Sequence, residues 1–301
     1  MKHSRKLTGM STTKRNRILP YLMIAPAVIF LLIFTVYPIV YLVYLSFQKY
    51  DLINPAQSAG FANYYRLFFV DMGFWNALWN TVTYTVMLVA AIVFLALVLA
   101  VWLQKSTILN AIAQRLMFLP HLCSGIAVAL IFSWLMDEEG LLNAVLNFFR
   151  LPALRWLKSS DTAMLSVVIV SVWKNMGYYA LILMGSLKSI PTELNEAADL
   201  DNAGVFRRFF RITLPMLSPQ LFFLVISTFI GSFKVFELVR TLTGGGPGDS
   251  TDVLVFYIYR TAFSGRLNIG LASAAGVVLM AILAVLTVLY FRAAEKKVHY
   301  Q

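Results

Sequence analysis

The chain has 301 residues, of which 59% are hydrophobic and only 13% are charged. A soluble domain runs at about 45–50% apolar and about 25% charged, so an ordinary soluble enzyme, a disordered chain and a fibrous chain are excluded, and the mean hydropathy of +0.74 points to a polytopic membrane protein. The net charge of +11 fits the accumulation of Lys and Arg on the cytoplasmic side of such a protein and gives no ground for a nucleic-acid partner.

A helix needs about 20 mostly apolar residues to cross the bilayer core. Six stretches meet that requirement, at residues 19–47, 74–103, 116–136, 163–187, 220–242 and 269–291. They define an all-α integral membrane fold with a transmembrane domain over 19–291. A basic segment, 1–18, precedes it, and a tail, 292–301, follows. The first apolar run is far longer than the roughly 7–15 residues of a signal-peptide core, and no small-x-small site follows it, so it is expected to be retained. With both termini inside, the short cytoplasmic segments hold Lys2, Arg5, Lys6, Lys14, Arg15, Arg17, Lys105, Arg115, Lys188, Arg207, Arg208, Arg211, Arg292, Lys296 and Lys297. The outside loops hold only Lys49, Arg66, Arg150, Arg155, Lys158, Arg260 and Arg266. That asymmetry places both termini in the cytoplasm, as an even number of spans requires.

Between spans one and two, the aromatic run at 60–68 suits the outer membrane interface. After span three, Leu142, Val145, Leu146 and Phe149 fall at helical spacing. They predict a short helix, either lying on the membrane or packed as a buried loop helix. The single cysteine, Cys123, rules out an internal disulfide and is expected to be a small buried hydrophobe. His3, His121 and His299 are too scattered for a metal site, and no metal is expected.

Charges inside the spans are costly and usually face a bundle interior or a wet cavity. Span four carries Lys174, and span five carries Lys234, Glu237 and Arg240. Arg240 is near enough to the outer surface to snorkel. Lys234 and Glu237, three residues apart, are expected to pair on one helix face. Lys174, Asn175 and Tyr178, with Ser227, Lys234 and Glu237, either line a polar path or seal an interface with a second subunit. Trp173 and Tyr179 fit packing or a site equally well.

The longest cytoplasmic segment, 188–219, reads as helix, turn, helix. Pro191 suits a first helical position, and Thr192 and Glu193 suit the positive end of that helix. Leu194, Ala197, Ala198 and Asp201 fall on successive turns. The turn comes at Asn202-Ala203-Gly204. A second piece follows with Phe206, Phe209, Phe210 and Leu214 apolar and Arg207, Arg208 and Arg211 basic, before Pro215 and Pro219. The segment is too polar to insert and too apolar to be a free linker, which is the character of a docking element.

The order Glu196-Ala197-Ala198, three residues, a turn position, nine residues, then Ile212-x-Leu214-Pro215 resembles the "EAA" loop of bacterial ABC importer permeases. The family's glycine position is Asn202 here, the next most tolerant residue for a left-handed turn, and Gly204 is expected to share that turn. The resemblance implies a type I ABC importer permease fold and a cytoplasmic loop whose short helix sits in a cleft on an ATP-hydrolysing subunit. Glu196 would contact that subunit, Ala197 and Ala198 would allow close packing, and Arg207 and Arg208 would meet acidic groups on it.

Outside the membrane, the run at 242–251 with Gly244, Gly245, Gly246 and Pro247, followed by the Tyr-x-Tyr-x-x-x-Phe stretch ending at Phe263, is similar to permeases of the carbohydrate-uptake branch (maltose, multiple-sugar and glycerol-3-phosphate types). A tight loop there either follows a docked binding protein or is simply a turn. The tail at 296–300 also resembles the glycerol-3-phosphate type. No G-x-x-x-x-G-K-[ST] run occurs, so the chain is not expected to bind a cofactor, and ATP would be used by a partner. By this resemblance the chain is no enzyme. It sits in the bacterial cytoplasmic membrane with a second permease subunit, two ATP-binding subunits, an extracytoplasmic solute-binding protein and membrane lipid, and moves a sugar or a polyol phosphate. An ion-coupled secondary transporter would leave the docking loop unexplained. A membrane enzyme would need a catalytic cluster that the sequence lacks.

Overall fold

The computed structural model describes residues 12–105, 107–264 and 267–294. The first eleven residues, Arg266 and the tail from residue 295, with the basic residues expected there, lie outside the described residues. Helices α1 (Thr12–Leu31) and α2 (Tyr37–Ser46) form one continuous rod through a π-helical turn at Leu32–Val36. The turn falls just ahead of Pro38, whose nitrogen has no proton to give to the helical ladder. Its apolar side chains, among them Tyr21, Met23, Phe30 and Phe34, are exposed, as a lipid-facing helix requires.

A two-strand ribbon follows, Gln48–Lys49 against Gln57–Ser58 and antiparallel, and then the short α3 (Ala62–Phe69). Asp71 caps α4 (Met72–Leu103) by accepting from the Gly73 amide at 3.0 Å. The next pieces are α5 (Ile108–Leu122), α6 (Gly125–Leu135), α7 (Leu141–Phe148) and α8 (Ser160–Lys188). The segment after α8 holds α9 (Thr192–Leu200), α10 (Val205–Arg208), a π turn at Phe209–Thr213 and α11 (Leu214–Met216). The chain ends with α12 (Ser218–Ser232), α13 (Glu237–Leu242), α14 (Leu254–Phe263) and α15 (Ile269–Ala294).

Among the described residues, four helices are long and apolar enough to cross a membrane: Pro20–Ser46, Met72–Leu103, Ser160–Lys188 and Ile269–Arg292. The expected third and fifth spans are not single helices. Residues 116–136 break at Cys123 and Ser124, where α5 and α6 meet at 103°. Pro120 weakens the last turn of α5, and Cys123 takes an extended backbone. Residues 220–242 break between Ser232 and Glu237, and the helix that enters this region bends by 67° where α11 gives way to α12. Counting each bent pair as one crossing brings the number to six. Cys123, expected to be buried, is exposed, because the break turns it out of the helix.

The core is built on α4 beside α8. Leu88, Ile92, Ala96 and Ala100 meet Val167, Val170, Ala180 and Leu183, all buried. Small residues let the backbones approach, which is how helices associate where lipid is as apolar as leucine. At Gly177 the approach is extreme, since a Cβ there would collide with the carbonyl of Met117 on α5. A second cluster at the other end joins Leu67, Phe74, Leu254, Tyr257 and Leu271. The α7 helix keeps Val145, Phe148 and Phe149 exposed, so it is a surface helix and not a buried one. It is pinned by buried Asn143, which donates to the Leu154 carbonyl at 3.0 Å and accepts from the Leu154 amide and Trp156 Nε1, both at 3.0 Å.

Replacing Gly177 with Val should therefore displace α5 from α8. Overpacking of this kind costs roughly 1–3 kcal/mol or more. The monodisperse fraction of the chain in detergent is expected to fall sharply for Gly177→Val. Gly185→Val, on the same helix with nothing within 4 Å of a new Cβ, should leave it unchanged.

Candidate functional site

The two helix breaks meet, because α13 packs on α6. At the first, α5 ends with carbonyls that have no helical partner. Lys174 on α8 reaches across and donates from Nζ to the His121 carbonyl at 3.1 Å. Asn175 holds the His121 ring, with Oδ1 3.1 Å from Nδ1, and returns its own amide to the Ser171 carbonyl at 2.8 Å. Tyr178 stacks on the same ring at 4.3 Å between centroids. On the far side of the break the Glu237 carboxylate lies against Gly125, at the amino end of α6, with no room for a Cβ between them. A cation therefore faces a helix carboxyl end and an anion faces an amino end, each opposite the local helix charge.

Beside this junction is a cavity of about 360 Å3, level with Tyr84, Leu88 and Ile92 in the middle of α4. Its wall carries Lys174, Asn175, Lys234 and Glu237, as the sequence suggests. Tyr178 and Ser227 are not on it. Their neighbours Tyr179 and Thr228 take those places, with Ser171 and Tyr84, whose hydroxyl donates to Ser171 Oγ at 2.8 Å. Sequence reasoning missed Tyr84, Ser171 and Thr228, polar residues in apolar runs and so legible as candidates. The expected pairing of Lys234 with Glu237 is not found among the described residues. The helix ends at Ser232, and Lys234 stands on irregular backbone, so the two are not neighbours on one helical face. Arg240 lies over the rings of Tyr259 (4.7 Å) and Phe236 (5.7 Å).

The segment 188–219 has the expected helix-turn-helix. Pro191 caps α9 without entering it. Asn202 takes the left-handed turn alone, at φ +48, while Gly204 at φ −64 caps α10 instead of sharing the turn. The Ala203 amide donates to the Ala198 carbonyl at 2.9 Å and closes the turn. Arg208 is held inside the loop, ion-paired with Asp199 and donating from Nε to the Ala203 carbonyl at 2.8 Å. It is partly buried, whereas Arg207 is exposed. Ala198 is buried, and Glu196 and Ala197 face out. Leu200, Val205 and Phe206 are more than 80% exposed and Phe210 is 60% exposed, apolar side chains that stand out among the segment's charged ones. Leu214 is partly buried, and Pro215 is exposed at the start of α11.

At the opposite end, the loop after α13 is tied down by its own contacts. Gly244, Gly245 and Gly248 have φ of +58, +86 and +57. At Gly245 a Cβ would also stand 2.6 Å from the Phe256 ring. Gly246 needs no such angle; its carbonyl accepts from Thr251 Oγ1 at 2.8 Å, and Pro247 follows it. Asn76 and Asn80 of α4 donate to the Asp249 carbonyl at 2.9 and 2.8 Å. Arg260 of α14 bridges Asp249 and Asp252, each at 2.6 Å. Burial pushes the Asp252 carboxyl up to about 6, against the pull of Arg260 and with a further push from Asp249.

Residues 16–300 match the family described as the binding-protein-dependent transport system inner membrane component. The chain belongs to that family. This ABC permease is 38% identical over 284 residues to the probable ABC transporter permease protein YurN of Bacillus subtilis (strain 168), covering 92% of this chain and 96% of that one. It is 36% identical over 285 residues to the sulfoquinovosyl glycerol transport system permease protein SmoG of Agrobacterium fabrum, covering 94% and 92%. Its fold is similar, at TM-score 0.82 and 25% identity over 94% of this chain and 96% of the other, to a chain in the crystal structure of a bacterial ABC transporter involved in the import of the acidic polysaccharide alginate. The permease is a multi-pass inner-membrane transport component and not an enzyme.

In the permease, the Asp252 carboxyl holds its proton more tightly when folded than its ordinary value of 3.8. Such a group adds stability below the unfolded value and loses that contribution as pH rises through the folded one. Compared with Asp252→Asn, the wild type should gain stability as pH falls from about 6 to about 4. The gain in unfolding temperature should be about 2–4 °C, what 1 kcal/mol delivers in a large domain, read by thermal unfolding in detergent at each pH.

Proposed function

We propose that this permease is one of two transmembrane subunits of an ATP-driven importer that moves a sugar, a mono- or oligosaccharide, across the bacterial cytoplasmic membrane by alternating access. Kinship to a sulfoquinovosyl glycerol permease and to a transporter of alginate supports the solute class. Six crossings with both termini in the cytoplasm fit the four unbroken helices plus two bent pairs and the excess of basic residues on the inner segments.

In this reading the cavity is the solute path. Asn175, Tyr179 and Thr228 offer hydroxyls and an amide to sugar hydroxyls, beside Lys174, Lys234 and Glu237. ATP binds two separate ATP-binding subunits. An ATP-driven change of state requires that the two states bind ATP differently, and the segment 188–219 is where this chain feels that difference. Glu196 and Ala197 enter a cleft on the ATPase, Leu200, Val205 and Phe206 supply apolar contact, and Arg207 meets acidic groups. Asn202 and the internal Arg208–Asp199 pair hold the shape, and Leu214 and Pro215 join the loop to α12. Gly245, Gly246 and Pro247 stand where an extracytoplasmic solute-binding protein docks.

The single observation that carries this reading is the exposed apolar patch on a charged cytoplasmic loop. Exposed apolar groups gathered within a polar rim mark an interaction surface. Purified in mild detergent from its native membrane, the wild-type chain should bring a second permease chain and an ATPase with it. Glu196→Lys and Ala197→Asp should each lose the ATPase, keep the second permease and reduce solute uptake by about a hundredfold, a loss of about 2.7 kcal/mol of coupling. Normal uptake by both variants would refute the docking role.

A further inference from the structure

Three charged side chains, Lys174, Lys234 and Glu237, line the cavity, and the chain itself accommodates two of them. Lys174 donates to the His121 carbonyl at 3.1 Å, at the carboxyl end of α5. Glu237 lies against Gly125, at the amino end of α6. Each thus faces a helix end of opposite partial charge. Lys234 has no such arrangement. It stands between α12 and α13, its side chain is exposed, and among the described residues no ion pair reaches it.

No acid other than Glu237 is on the cavity wall. The nearest further charge along α13 is a third cation, Arg240, stacked on Tyr259. The cavity is level with the middle of α4, and an ionisable side chain kept at such a depth, facing a wet cavity, is the kind that marks a solute or ion path. Lysine is suited to a ligand that moves, being a compact charge with three donors on a long flexible stem. Asn175, Tyr179 and Thr228 stand on the same wall with donors and acceptors for hydroxyls.

We propose that the solute carried through this cavity bears an anionic group (a carboxylate, phosphate or sulfonate) and that the Lys234 ammonium is its counter-charge. This rests on the cavity being the solute path. It divides the labour on the wall: Lys174 and Glu237 hold the helix junction, Lys234 takes the anion, and the neutral polar groups take the hydroxyls. A competing origin for the missing negative charge is a carboxylate of the second permease subunit.

The test uses the complete transporter in its own membrane with its binding protein. Cells carrying or lacking this chain receive a panel of neutral and acidic solutes, including glucose and glucuronate, galactose and galacturonate, and glycerol and sn-glycerol 3-phosphate. Loss of each from the medium is followed by mass spectrometry. The expected result is that solutes whose uptake depends on the chain are acidic. Lys234→Gln should slow that uptake about tenfold or more, the scale of one lost charge-assisted contact, and Lys234→Arg should retain most of it. Both variants should co-purify the second permease as the wild type does. Chain-dependent uptake of a neutral solute overturns the proposal, as does undiminished uptake of the acid by Lys234→Gln. Loss of the second permease from Lys234→Gln also overturns it, by marking the lysine as an interface residue. If chain-dependent uptake of the acid is undiminished by Tyr179→Ala and by Thr228→Val, two other changes on the same wall, the failure lies with the cavity as a solute path, and the inference falls with it.

Discussion

Inside a membrane, every backbone amide and carbonyl that leaves a helix needs a new partner, because no lipid group supplies one. This chain leaves its helices twice at depth, after Leu122 and after Ser232, and much of the interior follows from those departures. The carbonyl freed at His121 draws Lys174 across from α8. The open amino end of α6 draws Glu237 from α13. With the helices interrupted, their side chains cannot fill the space between them, and a polar cavity opens beside the junction. Asn175 and Tyr178 belong to the same repair, since both hold the His121 ring in place.

This arrangement explains which parts of the protein are readable without coordinates. The rods α4, α8 and α15 announce themselves because length and apolarity add up along the chain. The turn at Asn202 is legible too, since one residue in a left-handed conformation between two short helices is a local affair. The breaks are not, because hydropathy is blind to backbone geometry and residues 116–136 stay apolar straight through Cys123 and Ser124. Pro120 was the available sign, yet a proline in a last helical turn is compatible with a kink, a stop or neither. Choosing Tyr178 over Tyr179 and Ser227 over Thr228 fails for another reason. Adjacent helical residues point about 100° apart, and only packing decides which of two faces the cavity. The Arg208–Asp199 pair is hidden for the same cause, since it forms only once the loop has turned back on itself.

The two ends of the molecule differ in how much of their own surface they resolve. The glycine loop between α13 and α14 is bound by Asn76, Asn80, Thr251 and Arg260 and presents a finished shape. The loop between α8 and α12 closes its turn and an Arg208–Asp199 pair but leaves Leu200, Val205 and Phe206 in the open. A prebuilt surface suits a partner that binds and departs. An unfinished apolar surface suits one that stays attached through the working cycle.

The α4 helix connects these regions. Its 32 residues make a rod of about 48 Å at 1.5 Å per residue, longer than the roughly 30 Å hydrocarbon core. Asn76 and Asn80, near its outer end, grip the loop through the Asp249 carbonyl, and its middle forms one wall of the cavity. At its inner end the Leu103 carbonyl accepts from Gln114 of α5 at 2.8 Å, the helix whose far end is the break itself. One unbroken helix therefore touches the glycine loop near its start, the cavity at its middle and, through Gln114, the helix that leads to the first break, so any change in its tilt would be felt at all three places at once.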